Sequence, residues 1–341
     1  MNTCCKPSTP KPTARHRKGL VWLLAAVTLL LFLLNLAAGA SDVSLTDVMR
    51  FLSGQPVPDT VRTVLLHIRL PRALSCVLCG GALAVSGLLL QAALGNSLAS
   101  PSTIGVNAGA GFFALLAAAL FPYNEPARAA GLLLGALLVA GAMYLVAKKA
   151  SATRLTIVLA GVAVSSLFSA GMDAIVTIRP ETLLDKAAFS IGGFSSVSLS
   201  RLPPALLYML PGFLGAALLA PRLNILLLGD ETAASLGLDV RRCRVLSLCC
   251  AAFLAAGAVS VCGLLGFVGL IVPHMLRAAE KDVPGLVPLC GLGGAALVSL
   301  CDLIARTAFA PFELPVGILL SFLGAPFFLY LILHKKRGRL S

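Results

Sequence analysis

Charge is what this 341-residue sequence has least of: 12% of its residues are Asp, Glu, Lys or Arg, and only 14 are acids. A soluble domain carries about 25% charged and about 45–50% apolar residues, whereas 58% are hydrophobic here. The apolar excess runs along the whole chain, which excludes a globular domain with a single anchor. The sequence also has no G-x-x-x-x-G-K-[ST] loop, so it has no P-loop with which to hold ATP. H-E-x-x-H and G-x-S-x-G are missing too, so an intramembrane enzyme has no support. The ten cysteines form no disulfide framework, because most lie within apolar runs and no small secreted domain is present. Cys76-Val-Leu-Cys79 has metal-ligand spacing, but it falls inside an apolar run with no His or second Cys pair nearby in sequence. It reads as small packing residues, and neither a metal site nor a cofactor is expected.

What is present is a series of membrane-length apolar runs. A bilayer core of about 30 Å needs about 20 apolar residues per helix. The runs are Leu20–Ala40, Ala73–Leu94, Thr103–Phe121, Ala129–Ala147, Leu155–Ile178, Pro203–Pro221, Cys243–Cys262, Leu264–Ala279, Pro284–Ala305 and Pro315–His334. They predict an all-α, polytopic membrane protein of about ten transmembrane helices, the eighth short and broken by Pro273. Residues 1–19 and 335–341 read as basic tails, with a single ten-helix membrane domain over 20–334. The first run, ending in Ala38-Gly-Ala40, imitates a signal peptide, but its length favours a retained helix. Gly105-x-x-x-Gly109 and Gly131-x-x-x-Gly135 would permit close helix packing. Ala84-Val-Ser-Gly-Leu-Leu89 echoes Ser260-Val-Cys-Gly-Leu-Leu265, as an inverted repeat would.

The net charge of +13 does not point to nucleic acid, because the basic residues sit between the apolar runs and act as topology signals. Five lie in the N-terminal tail and four in the C-terminal tail. Lys148, Lys149, Arg154, Arg222, Arg241, Arg242, Arg244, Arg277 and Lys281 lie in the even-numbered connections. Together these are 18 of the 27 Lys and Arg. The positive-inside rule therefore places both termini in the cytoplasm, along with the polar segment 223–240. That segment, Leu223–Val240, reads as a short exposed helix with Asp230 as its cap, Glu231 in its first turn and Gly237 at its stop.

Charges inside the runs are few and costly. Asp173 follows Ser165, Ser166 and Ser169 and reads as a pathway-lining carboxylate, or as a residue paired with a neighbour. Asp302 and Arg306 are four apart, so they can pair on one helix.

Several of these stretches resemble motifs of one family. Glu231-Thr-Ala-Ala-Ser-Leu-Gly237 resembles the E-x-A-A-x-x-G coupling loop of ABC importer permeases. Gly266-Phe-Val-Gly-Leu-Ile-Val-Pro-His274 resembles the FecCD-like, type II permeases for iron siderophores, haem and vitamin B12. Arg69-Leu-Pro-Arg72, Gly105-Val-Asn-Ala-Gly109, Glu313-Leu-Pro-Val-Gly317 and Leu323-Gly-Ala-Pro-Phe327 match the same family in the same order. Ser190-Ile-Gly-Gly-Phe-Ser-Ser-Val-Ser198 resembles its short extra helix after the fifth span.

The resemblance implies a fold like that of the vitamin B12 importer permease, in a bacterial inner membrane. It also implies a second permease subunit, two cytoplasmic ATPases and an extracytoplasmic substrate-binding protein. Transport would be of a metal chelate, a ferric siderophore before haem or cobalamin, by alternating access. Asp230, Glu231, Thr232, Ala233, Ala234, Ser235, Leu236 and Gly237 would couple to the ATPase. Arg69, Arg72 and Arg306 would meet glutamates of the binding protein. Ser165, Ser169 and Asp173 would line the pathway. The alternative reading is an ion-coupled secondary transporter with Asp173 as its coupling acid. The charge distribution yields a test: a cysteine introduced at Ser235 should escape an impermeant thiol reagent applied outside intact cells, and labelling from outside would reverse the topology.

Overall fold

The computed structural model describes residues 14–38, 45–149, 154–195, 197–308 and 312–337. Among them every regular element is helical. The chain starts with α1 (Ala14–Ala37), so helix takes in part of the expected N-terminal tail, and a short α2 (Leu45–Leu52) follows. Next comes α3 (Asp59–Val64), which runs through a π-helical turn, Leu65–Arg69, into α4 (Leu70–Ala93). The turn has a local cause. Pro71 lacks an N–H and its ring would crowd the carbonyl four residues back. One residue earlier, the Leu70 N–H reaches back five positions to the Leu65 carbonyl, and the wider turn takes up the misfit.

The bundle continues with α5 (Val106–Leu120), α6 (Glu125–Lys149), α7 (Arg154–Ile178) and a short α8 (Leu183–Ile191). After α9 (Leu202–Leu226) come α10 (Asp230–Ser235), α11 (Val240–Cys262), α12 (Val268–Leu276), α13 (Val283–Thr307) and α14 (Val316–Arg337). Seven of the described helices are long and apolar enough to cross a membrane, and the apolar stretches Val106–Leu120 and Val316–Tyr330 are shorter.

The eighth apolar run departs from a through-helix. Its helical part, α12, has nine residues, about 14 Å at 1.5 Å per residue, half of a bilayer core. Residues 263–267 before it are not helical, and Gly263 and Phe267 have positive φ, +67° and +66°. Irregular backbone at this depth needs partners for its polar groups. The end of α8 supplies one of them, where Leu264 N–H donates to Phe189 O at 2.7 Å, and beside it Gly193 N–H donates to Cys262 O at the end of α11 at 2.8 Å. The extra helix after the fifth span is therefore Leu183–Ile191. Of the stretch 190–198 that resembled it, only Ser190 and Ile191 are helical, and Ser196 lies outside the described residues.

α4 is the central helix, buried along nearly all its length. It lies antiparallel to α11: Ser86 Oγ donates to Ala251 O at 2.7 Å, and the Cys79 thiol to Ala258 O at 3.6 Å. The sequence echo falls within α4 for its first copy, whereas its second copy straddles the end of α11 and the non-helical residues that follow. Glycine sets the spacing elsewhere. A Cβ on Gly81 would sit 3.0 Å from Gly291 O of α13, and one on Gly87 would strike the backbone of Gly269 in α12. Three of the four glycines of the Gly-x-x-x-Gly pairs work the same way between α5 and α6: a Cβ on Gly109 would lie 3.0 Å from Gly135 O, one on Gly135 2.2 Å from Gly109 O, and one on Gly131 2.6 Å from Phe113 O, whereas Gly105 faces Gly161, Val164 and Ser165 of α7.

This packing generates a matched pair of variants. Gly87→Ala should lower the thermal stability of the purified permease by about 1–3 kcal/mol through overpacking. Gly291→Ala meets only Val85 Cγ2, at 3.9 Å. It should be neutral or gain up to about 1 kcal/mol of helix propensity. Equal melting temperatures for the two would show that the α4–α12 approach does not limit stability.

Candidate functional site

The residues singled out from the sequence gather in three places. Two lie at opposite ends of the bundle, and the third lines a groove along α7.

The first is α10, held between α9 and α11. Asp230 is not its cap, contrary to expectation. Gly229, at φ +108°, takes that position with no side-chain bond, and Asp230 is the first helical residue. Asp230 instead accepts from Arg244 of α11 at 2.7 Å, while Arg244 Nε donates to Ala93 O at the end of α4, also at 2.7 Å. One guanidinium thus ties α10 to two long helices. Gly237 is the stop expected. At φ +83° it donates to Ala234 O at 2.9 Å, and Leu238 N–H donates to Ala233 O at 3.0 Å. This is the paired closure that a left-handed C′ residue permits. Ala233 is fully buried and roots the helix, so it offers no approach to a partner. Glu231, Thr232, Ala234, Ser235, Leu236 and Gly237 are exposed, and Leu227 and Leu228 add apolar surface beside them.

The second place is the groove on α7. Ser165, Ser166, Ser169 and Asp173 line one open cavity of about 580 Å³, together with Val162, Ala170 and the preceding-loop residues Ser102 and Thr103. No local pattern points to Ser102 and Thr103, whose contribution depends on the fold bringing the loop before α5 against α7. Val162, Ser166, Ser169, Asp173 and Thr177, three or four residues apart, form one exposed helical face. A stripe carrying two serines, a threonine and an acid is costly against lipid and suits a partner or a water-filled path. Asp173 is not a lone acid, since Lys186 of α8 is paired with it.

The third place is the far end of the bundle, where Arg69, Arg72 and Arg306 lie. All three are buried, at 2%, 7% and 4% exposure, so none of them stands as an exposed guanidinium in this chain. Arg72 donates through Nε and Nη2 to Asp302 at 3.0–3.2 Å, and through Nη1 to Glu313 at 2.7 Å. Arg306 meets Asp302 at 3.2 Å, as the four-residue spacing predicted, and donates to Asn35 Oδ1 at 2.6 Å and Ala38 O at 3.0 Å. Arg69 donates to the carbonyls of Leu36 and Ala37, both at 2.8 Å. These bonds close the last turn of α1, whose carbonyls have no intrahelical partner. Asp302, with no exposure, thus joins α4 to α13, and Arg306 joins both to α1. Breaking a buried pair on one side leaves a stranded charge, at about 3–5 kcal/mol. Asp302→Ala should therefore destabilise the permease by that amount, read as a fall in melting temperature in detergent. A shift under about 1 kcal/mol would mean that the cluster is hydrated and not structural.

The two ends are distinct. Arg17 near the start of α1 donates to Pro284 O at the start of α13 at 3.1 Å, on the side of α10, whereas the end of α1 meets Arg306 near the end of α13. A scan of known families matches residues 27–334 to the FecCD transport family. The hemin transport system permease protein HmuU of Yersinia pestis is 35% identical, over 91% of this chain and 96% of that protein. The vitamin B12 import system permease protein BtuC of Shigella boydii is also 35% identical, over 95% of this chain and 98% of that one. A solved structure described as an inward-facing conformation of a metal-chelate type ABC transporter superposes with a TM-score of 0.78. It is 28% identical, and the match covers 93% of this chain and 99% of that chain. With the fold, the motifs and these similarities in agreement, the chain belongs to the FecCD transport family of multi-span ABC permeases.

Proposed function

We propose that this chain is the membrane subunit of an ABC importer for a metal chelate, with a ferric siderophore the first candidate and haem or cobalamin the others. The observation that carries the reading is α10, a short exposed helix at the end of the bundle opposite the arginine cluster, anchored to α4 and α11 by Arg244. Relatives that share the fold are named as permeases for hemin, vitamin B12 and ferric enterobactin, which supports the cargo class.

In this reading one of the two cytoplasmic ATPases binds at α10 and supplies a groove for the exposed Glu231–Gly237 surface, and the other binds the second permease subunit. Movement of α10 is passed by the Asp230–Arg244 pair directly to α11 and, through Ala93, to α4. A second permease subunit faces the α7 groove, so that Ser165, Ser169 and Asp173 line a shared pathway whose mouth alternates between the two sides. An extracytoplasmic binding protein docks at the arginine end. Arg72 already holds Glu313, whose side chain is 37% exposed, so a partner carboxylate would replace Glu313 rather than meet a free arginine.

The coupling contact is tested at Ala234. It is exposed and helical, whereas Gly237 holds a positive φ, so a bulky residue at Gly237 would disturb the helix itself. In the reconstituted complex, Ala234→Trp should lower ATP-dependent chelate uptake at least roughly ten-fold while leaving the melting temperature of the permease unchanged, a loss of about 1.4 kcal/mol of coupling. Undiminished uptake would mean that α10 does not seat in the ATPase.

A further inference from the structure

Beneath α10 lies a polar cavity of about 470 Å³, lined by Gln91 and Gly95 at the end of α4, Leu226 and Asp230 around the end of α9, Arg244 of α11 and Arg277 at the end of α12. Its charge is unbalanced. Asp230 is its one acid, and Arg244 already holds it. Arg277 has Nε and one terminal nitrogen sealed from solvent, with no acceptor among the described residues. Gln91 is 2% exposed. Its amide nitrogen donates to Gly269 O at 3.1 Å, which leaves Oε1 buried without a donor. A guanidinium in such a place is costly unless an anion joins it, and buried polar groups left open are rare enough to require an occupant.

We propose that the cavity receives an acidic side chain from the ATPase. The chemistry of the open groups defines the occupant. Turned into the cavity it lines, Arg277 would present a planar fork that fits a carboxylate. Gln91 Oε1 needs an N–H, which the main chain beside an acidic residue supplies. An entering Asp or Glu brings both, and the cavity has room for the side chain and its backbone. The position selects the source, because Asp230 is both the first residue of α10 and part of the cavity wall, so a subunit seated on α10 reaches the opening. This inference rests on the assignment of the α10 end to an ATPase. It adds a second point of attachment that reaches α12 through Arg277 and α4 through Gln91, whereas α10 itself reaches α4 and α11.

The test uses the permease assembled with its ATPase in lipid nanodiscs, with dissociation followed across a salt series for the wild type, Arg277→Gln and Arg277→Lys. Melting of each permease alone is measured in parallel. Arg277→Gln should weaken ATPase association roughly thirty-fold or more and flatten its salt dependence, as truncating one side of a buried charge pair does. Arg277→Lys, which keeps the charge and loses the fork, should fall between. The permease alone should melt no lower in Arg277→Gln than in the wild type, because the variant removes a cation with no partner. Unchanged association in Arg277→Gln would overturn this inference alone. A loss of association that merely follows a loss of melting temperature in both variants would assign Arg277 to the fold and overturn it as well. If inorganic phosphate raised the melting temperature of the wild-type permease alone but not of Arg277→Gln, a free anion would be the occupant and the ATPase contact would be wrong. Failure of the ATPase to associate even with the wild type would bring down the functional assignment, and this inference with it.

Discussion

Helices in hydrocarbon gain nothing from hiding apolar surface from lipid, so a bundle depends on how closely its backbones can approach. α4 meets that constraint with glycine. Gly80 and Gly81 pass against Gly294 and Gly291 of α13, and Gly87 passes against Gly269 of α12. Ser86 adds a hydrogen bond to α11. Other features follow from this central stack. The non-helical residues 263–267 lie where α12 is held against α4, and the end of α8 is close enough for Phe189 O to accept from Leu264 N–H. The helices away from the stack, α7 and α14, keep exposed faces. α9 turns Leu207, Leu210, Leu214 and Leu218 outward, an apolar stripe suited to lipid, while the outward face of α7 is polar.

The same low dielectric sorts the charges. An unpaired charge within the bundle would cost several kcal/mol, and those present gather at the two ends. At one end Asp302 accepts from Arg72 and Arg306, and the cluster staples α1, α4 and α13 together. At the other end Arg244 staples α10 to α4 and α11. The ends differ in how charge is balanced. In the Asp302 cluster both guanidiniums face carboxylates, with Glu313 as the more exposed member at its rim, although Arg306 Nε makes no hydrogen bond among the described residues. At the α10 end Asp230 is held by Arg244, and Arg277 has no ion pair among the described residues.

Much of the fold was legible in the sequence because hydropathy in a membrane protein reports directly on span. The apolar runs correspond to α1, α4–α7, α9 and α11–α14. The Asp302–Arg306 pair followed from helical spacing, and the serines of α7 fell on one face as their three- and four-residue intervals required. What the sequence did not display is long-range. Arg72 and Asp302 are 230 positions apart, and the Cys79–Ala258 and Arg244–Ala93 contacts also join distant segments, so no local pattern announces them. Arginines expected at a surface proved buried for this reason. Asp230 looked like a cap because capping is a local rule, but a distant arginine competed for its carboxylate. α8 was placed a few residues late because its composition is ordinary and the glycines that follow it are conspicuous. Arg277 had been counted only as a topology signal, and its environment depends on the ends of four helices.

The central claim is that movement through this chain is driven by ATP hydrolysis on another subunit and not by an ion gradient acting on its own carboxylates. Proteoliposomes containing this chain with its ATPase and binding protein, loaded with or without ATP and with or without an imposed proton or sodium gradient, measure the claim directly through uptake of a labelled ferric siderophore. The account predicts uptake that requires ATP and the ATPase and that persists when both gradients are collapsed. Uptake by the permease alone, driven by a proton or sodium gradient without ATP, would contradict it.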